Sequence, residues 1–422
     1  MSEIAVIGAG YVGLASAVGF AAIGHRVTCA DVDRAKVAEL RRGRTGILEP
    51  GMPESLSESL AAGRLRFTSD ARAAVREAKF VFLCLPTPTG DDGAADTGIV
   101  LSVVDDVRDA LRMAAVLVVK STVPAGTTDL LQARVGRRDI RVVANPEFLR
   151  EGRALADFLR PERVVIGADD TCSARRVAAL YEPLNAPVVR TDPRSAEMIK
   201  YASNCFLATK LSFINSISDI CAAIGADVDD VALGMGLDSR IGPDFLRPGP
   251  GWGGSCLPKD TKALAWLADR AGVDFPVLTA AVASNTRRQA AIVERIGELL
   301  GGRLSGARIA AFGLAFKAGT GDLRESPGIK VAEALARAGA HVRGYDPGVT
   351  ATARIPGVPV VDDPYSAAEG CDLIAVFTEW PDFRELDWMQ VAGRCRATAV
   401  FDTRRVLDPL VLNKAGLECV HP

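Results

Sequence analysis

Ile4-Ala5-Val6-Ile7-Gly8-Ala9-Gly10-Tyr11-Val12-Gly13 decides how the rest of the chain is read. A short apolar run enters a turn rich in glycine, and an Ala-rich stretch of helical character continues to Ala22. After Gly24 a second apolar run, 27–30, ends on Asp31, 23 residues beyond Gly8. Strand, glycine turn, helix, strand and acid is an order that suits a dinucleotide. One glycine permits the tight turn, one lets the backbone approach a pyrophosphate, and one lets the helix pack closely on the sheet. The helix N-terminus then offers N–H groups and the positive end of its dipole to the phosphates. Asp31 is placed to bond the ribose hydroxyls and to repel a 2′-phosphate, which favours NAD over NADP; Arg34 and Lys36 close by pull the other way.

The same layout continues outward. Apolar runs at 80–85, 116–119, 142–144 and 164–166 are spaced as strands with helical segments between them, the pattern of an α/β domain. Their carboxyl ends carry Thr87, Thr122 and Glu147, which places those residues at the mouth of the cleft where open α/β sheets bind ligands. From about Pro193 the pattern becomes a long helix without an internal Gly or Pro until Gly225. Lys200 and Asn204 share one of its faces, and spacing alone would leave an isolated lysine there in solvent. Near the end, 308–313 opens a second strand and turn, a helix is expected from about Ile329 to Ala338, and Gly344-Tyr345-Asp346 repeats the approach to Asp31. Here the glycine fingerprint is replaced by GLAFKAGTGDLRESP, which suits a nucleotide diphosphate better than a dinucleotide. The fold class is thus α/β, with two Rossmann-like doubly wound domains joined by a long central helix and a small helical dimerisation domain. The boundaries are 1–192 for the NAD-binding domain, 193–300 for the helical middle and 301–422 for the second nucleotide-binding domain. His25 and His341 match as strand-entry residues in the two halves.

Composition narrows the function. The 422 residues hold 50 Lys+Arg against 52 Asp+Glu, a formal net charge of -2, so no large positive field exists to neutralise a nucleic acid backbone. Three histidines leave little for a His-based metal centre or a Ser-His-Asp triad, and proton transfer falls to Lys, Asp or Glu. Nine cysteines without a CxxC or a Cys/His cluster fit neither a zinc site nor a secreted disulfide framework. No basic segment precedes an apolar stretch at the start, and no unbroken run of ~18 apolar residues occurs. A cytoplasmic protein with no membrane segment and no metal is expected.

One cysteine stands apart. Gly249-Pro250-Gly251-Trp252-Gly253-Gly254-Ser255-Cys256-Leu257-Pro258-Lys259-Asp260 has four glycines in its first six residues, which serve backbone geometry or ligand access rather than a core. Cys256, with Lys259 and Asp260 beside it, reads as a nucleophile in a cationic setting or else as a structural thiol. The other eight cysteines read as small core residues. NAD with a nucleophilic cysteine would allow an alcohol to pass through aldehyde, thiohemiacetal and thioester to an acid, a four-electron oxidation.

Taken together, GAGYVG, STVPAGT, NPEFLREG, EMIKYASNCFLATKLSFIN, SRIGPDFLRPGPGWGGSCLPKD, FKAGTGDLRES and FDTRRVLD run through the whole chain in an order that resembles the UDP-glucose/GDP-mannose dehydrogenase family. The resemblance implies that Cys256 forms the thioester, that Lys200 stabilises oxyanions or serves as base with Asn204 in support, and that Asp260 activates the hydrolytic water near Thr122 and Glu147. It implies an NAD site lined by Gly8, Gly10, Tyr11, Val12, Gly13, Asp31, Lys36, Thr87 and Thr122, with Arg324 reaching the cofactor. The sugar nucleotide would be held by Glu147, Phe148, Leu149, Lys200, Asn204, Phe245, Leu246, Gly253, Lys317 and Arg404, and by Arg240 from a neighbouring subunit of a homodimer or higher homo-oligomer. DSRIG before FLRPG, and LADFLRPERVVIG after NPEFLREG, resemble the branch acting on UDP-glucose; GDP-mannose or another UDP-hexose is the alternative. Two rivals lie outside this scheme. One is a two-electron hydroxyacid or 6-phosphogluconate-type dehydrogenase, which would yield one NADH per substrate. The other is a nucleotide-sugar binding protein, in which Cys256, Lys200 or Asp260 would be lost.

Overall fold

The opening stretch folds as a strand, a turn and a helix. The computed structural model describes residues 1–422, and they divide into two compact units: Met1–Ser203 with Lys262–Arg270, and Asn204–Thr261 with Ala271–Pro422.

The first unit is built on β1 (Glu3–Ile7), β2 (Arg26–Ala30), β3 (Leu65–Thr68), β4 (Phe80–Leu83), β5 (Val116–Val119), β6 (Arg141–Ala144), β7 (Val164–Gly167) and β8 (Val188–Thr191). Their order in the sheet is β3-β2-β1-β4-β5-β6-β7-β8, and only the β6–β7 pairing is antiparallel. Side chains alternate between faces, so Ile4 and Val6 enter one core cluster while Ala5 and Ile7 enter the other. Burial on both faces explains why these strands read as unbroken apolar runs rather than as alternating patterns. The order reverses between β1 and β4, and that switch point is where a doubly wound sheet opens a crevice for a ligand. The strand expected over 80–85 ends at Leu83 because the chain leaves the ladder there: the Leu85 N–H turns to Ser121 Oγ at 2.8 Å.

The long helix spans Pro193–Ile224, as its Gly- and Pro-free stretch requires. By length and composition it could cross a membrane. Its Glu197, Lys200, Asn204, Ser212, Asn215 and Ser218 are instead buried within the protein.

In the second unit β9 (Arg308–Phe312), β10 (His341–Tyr345), β11 (Leu373–Val376), β12 (Ala399–Asp402) and β13 (Glu418–Val420) form a parallel sheet in the order β10-β9-β11-β12-β13. The repeat extends to hydrogen bonding, with one change. Asp31 after β2 accepts the Ala9 N–H at 2.8 Å, and Asp346 after β10 accepts those of Leu314 and Ala315 at 2.7 and 2.9 Å. Asp346 is buried and also receives the Trp380 indole N–H. Its carboxylate staples the fold.

Two expectations need correction. Cys172 is exposed, not core, because the short helix Thr171–Ala178 turns Ser173, Ala174 and Val177 inward instead. Lys200, which spacing alone would leave in solvent, is buried against a carboxylate.

Candidate active site

In the first unit the glycine turn is shaped for a dinucleotide. Gly8 has φ +98°, and a Cβ there would stand 2.4 Å from the Cys84 carbonyl oxygen; one on Gly13 would strike the Gly8 carbonyl at 1.8 Å. Both positions therefore exclude a side chain, while the space beside Gly10 is open. The helix Tyr11–Ala22 has no side-chain cap and no acid in its first turn, which leaves its N-terminal N–H groups and dipole to an anion. These features fit the pyrophosphate of NAD. Asp31 is held by the N–H groups of Ala9 and Asp33 and by Lys36 Nζ at 3.2 Å. Burial opposes its charge, but those donors outweigh it and keep the carboxyl below its ordinary value. Thr87 Oγ1 donates to the Thr122 carbonyl at 2.7 Å, tying together the two loops after β4 and β5. The Tyr11 hydroxyl bonds Glu49 and receives the Gly152 N–H, so its side chain ties the glycine turn to two distant segments.

Beyond β6 the chain brings Glu147 to Lys200. Their charged atoms lie 3.0 Å apart and both side chains are nearly excluded from solvent. Glu147 also accepts the Leu149 N–H at 2.6 Å. Burial alone would raise its pKa; the Lys200 ammonium, the Leu149 N–H and Lys120 outweigh that and lower it. Phe148 packs its ring under Arg163, whose guanidinium carbon is 3.6 Å from the centroid, with Lys200 Nζ at 5.4 Å. A buried ammonium–carboxylate pair beside a ligand crevice can hold or move a proton at a hydroxyl.

In the second unit Cys256 is exposed and immediately precedes the helix Leu257–Arg270, where the partial positive charge of the helix end favours a thiolate. The Asp260 N–H donates to the Cys256 carbonyl at 2.9 Å, which closes the first turn. Asp260 is buried between Asn204 Nδ2 at 2.6 Å and Lys259 Nζ at 2.5 Å. The glycine loop is clamped on several sides. A Cβ on Gly253 would lie 2.0 Å from the Glu325 carbonyl, and Gly254, with φ +80°, sits against the Phe316 ring. Trp252 and Asn285 exchange two hydrogen bonds, and the Trp252 indole donates to Ser212 Oγ at 2.9 Å.

The remaining expected residues are placed as follows. Leu246 is buried in the cluster of Ile214, Cys221 and Val228, and its neighbour Phe245 takes φ +62°. The Arg240 side chain is 87% exposed and paired with Asp238. Arg324 pairs with Asp322 at 2.7 Å and accepts the Gly254 N–H on its carbonyl at 3.1 Å. Lys317 Nζ lies 5.7 Å over the Phe316 ring. Arg404 donates to the Phe377 carbonyl at 3.0 Å and pairs with Glu379 at 3.1 Å.

Comparison with known proteins bears on what such a chain is. Residues 2–185 match the NAD binding domain of the UDP-glucose/GDP-mannose dehydrogenase family, 194–287 its central domain and 310–409 its UDP binding domain. A UDP-glucose 6-dehydrogenase of Pseudomonas aeruginosa is 42% identical, over 98% of this chain and 96% of that one. The chain belongs to the UDP-glucose/GDP-mannose dehydrogenase family. A UDP-glucose 6-dehydrogenase of Rhizobium meliloti is 43% identical over 96% of this chain and 95% of its own. Among solved structures, a UDP-glucose dehydrogenase from Pyrobaculum islandicum superposes with a TM-score of 0.92 at 37% identity, covering 100% of this chain and 97% of that one.

This dehydrogenase is an NAD-dependent enzyme. Several buried charged residues escaped sequence reasoning. Glu197, buried on the long helix, accepts the N–H groups of Gly126 and Thr128 and caps the helix Thr127–Val135 from outside. Arg288, also buried, donates to the Gly249 carbonyl at 3.1 Å and pairs with Asp219. Lys120, at the end of β5, is buried as well. Lys120 could have been noticed, since it directly follows four apolar residues; Glu197 and Arg288 carry no local signal.

Proposed function

We propose that this dehydrogenase oxidises UDP-glucose at C6 to UDP-glucuronate, with two NAD⁺ reduced for each sugar. The curated relatives that share most of its length carry UDP-glucose in their names. The observation that carries the reading is Cys256: an exposed thiol at a helix N-terminus, at the end of a loop whose glycines are sterically required.

The glycine turn would hold NAD⁺, which would supply the hydride acceptor for each of the two oxidations, one molecule per oxidation. Lys200, paired with Glu147, first gives up its own proton and then, as the neutral amine, accepts the proton of the C6 hydroxyl as the first hydride leaves, and the alcohol becomes an aldehyde. Cys256 adds its sulfur to the aldehyde carbon and forms a thiohemiacetal, whose oxyanion Lys200 and Asn204 stabilise, a large contribution in such reactions. Loss of the second hydride leaves a thioester. Asp260 directs water onto the thioester carbon, with Thr122 and Glu147 in support; the carbon–sulfur bond breaks, Cys256 recovers its sulfur and the carboxylate departs. In sum one alcohol, one water and two NAD⁺ give one carboxylate, two NADH and three protons. Phe148, Leu149, Phe245, Leu246, Gly253, Lys317 and Arg404 hold the sugar nucleotide, Arg324 reaches the cofactor, and the three-part division at 192 and 300 separates the NAD, helical and UDP parts.

A homodimer completes the proposal. Phe206, Phe213 and Ile220 recur every seven residues on the long helix and are each at least half exposed, a stripe suited to a second copy of the same helix. Arg240, exposed on the same unit, would then serve the neighbouring subunit's substrate. Assay of UDP-glucose, UDP-galactose, UDP-N-acetylglucosamine and GDP-mannose with NAD tests the substrate assignment: UDP-glucose is expected to give the highest kcat/KM, and a higher value for GDP-mannose would overturn it.

A further inference from the structure

Next to the Glu147–Lys200 pair lies a second lysine that the proposed chemistry leaves without a role. Lys120 directly follows β5 and is 4% exposed. Its Nζ lies 3.3 Å from Asn145 Oδ1 and 3.4 Å from Tyr181 Oη, and 5.8 Å from the Tyr181 ring centroid. Asn145 is fixed on every side. Its Oδ1 also takes the Tyr181 hydroxyl at 2.6 Å, its Nδ2 donates to the Val165 carbonyl at 2.8 Å, and its N–H donates to the Val119 carbonyl at 2.8 Å. Two residues further along the chain is Glu147. Lys120 therefore anchors the end of β6 just where the chain turns to present that carboxylate.

Charge points the same way. The titratable groups around Lys120 are the Cys84 thiol after β4, Glu147 after β6, the Tyr181 phenol after the helix Thr171–Ala178, and Lys200 on the long helix. Burial holds Cys84 and Tyr181 neutral, pushing the thiol up to about 12 and the phenol well above its usual value. Two ammonium groups then face one carboxylate. Burial, reinforced by Lys200, lowers the pKa of Lys120 against the opposing pull of Glu147.

We infer that Lys120 is a positioning residue for the dehydrogenase reaction: through Asn145 it sets the segment that carries Glu147, and its charge attracts the Glu147 carboxylate and repels the Lys200 ammonium. This rests on the proposed proton-handling role of Lys200 and Glu147.

The test is the pH dependence of kcat in the full-length enzyme with UDP-glucose and NAD. Lys120→Gln keeps a donor for Asn145 but removes the charge. Its acid limb is expected about one pH unit above that of the wild type, the size of effect a nearby charge produces. An unmoved limb would overturn the inference, because a purely structural role lowers the rate without displacing the profile. If Lys120→Gln does not fold, Lys120→Arg, which keeps the charge, is measured instead. Its limb is then expected at the wild-type position, and a displacement of one unit would overturn the inference. Lys200→Met and Glu147→Gln run in parallel separate the two readings. Near wild-type rates in both would remove the proton roles themselves, whereas large losses there with an unmoved Lys120→Gln limb would remove only the role of Lys120.

Discussion

Lys200 Nζ stands 3.0 Å from Glu147 Oε1, and neither side chain is more than 6% exposed. Removing one partner of such a pair strands a charge in a poorly hydrated interior, which costs about 3–5 kcal/mol. Glu147→Gln is expected to lower the denaturant midpoint, and the deficit depends on pH. Glu147 has a folded pKa below its unfolded value of about 4.3. The stability due to its ionisation is therefore full above that value and is lost as the pH falls through the folded one. The gap between wild type and variant, measured by chemical unfolding, is expected to be full at pH 7 and to shrink below pH ~4. A gap unchanged in acid would contradict the ion-pair account.

In the proposed site, Asp31 is the residue that selects NAD over NADP. Its two oxygens hold the N–H groups of Ala9 and Asp33, and Lys36 neutralises part of its charge. Asp31→Asn can keep an acceptor for the turn while removing the charge that repels a 2′-phosphate. The ratio of kcat/KM for NAD over NADP is expected to fall about tenfold, corresponding to ~1.4 kcal/mol of lost discrimination. An unchanged ratio would show that the discrimination lies elsewhere.

His25 is a pH-sensitive element of the fold rather than of the chemistry. Its Nδ1 accepts the Ser2 N–H at 3.2 Å, its Nε2 bonds the Leu180 carbonyl at 3.0 Å, and the ring is buried. The two contacts together require the neutral ring. Burial holds its pKa below the ordinary value, although the Leu180 contact opposes the shift. The unfolded chain therefore takes up a proton first. The stability contributed by His25 is full above the unfolded value of about 6.5 and is lost as the pH falls through the folded value. Wild-type Tm is expected to drop below pH ~6.5 more steeply than that of His25→Leu; parallel curves would contradict this.

In the proposed homodimer the apolar stripe of the long helix forms the interface. Phe213→Asp places a charge in the middle of Phe206, Phe213 and Ile220. Light scattering coupled to gel filtration is expected to show a dimer or larger assembly for the wild type and a monomer for the variant. A wild-type monomer would remove the proposed interface.

Cys256 has an exposed side chain, so Cys256→Ser is expected to leave Tm and NAD affinity unchanged. Uronate formation is expected to fall on the order of 10³-fold or more, the scale seen when a covalent nucleophile is removed. Uronate produced at near the wild-type rate would rule out a thioester at this position.

Much of this was legible because local chemistry and fold agree. The run from Ile4 to Gly13 carries its own steric reasons, and the Pro193–Ile224 helix announces itself by the absence of Gly and Pro. Asp346 shows where reading by analogy stops. It copies the position of Asp31, yet Trp380, far along the chain, turns it into a buried staple. Lys200 illustrates the same limit: nothing within its helix says that Glu147, 53 positions earlier, will meet it. Burial of Lys120, Glu197 and Arg288 likewise depends on partners supplied by other elements. Long-range polar contacts of this kind are set by tertiary packing, to which periodicity and spacing are blind.

The most direct measurement is the number of NADH formed for each UDP-glucose consumed, with the product identified by mass. Two NADH and UDP-glucuronate are expected. One NADH with an aldehyde as the final product would contradict the four-electron reaction and favour a two-electron dehydrogenase.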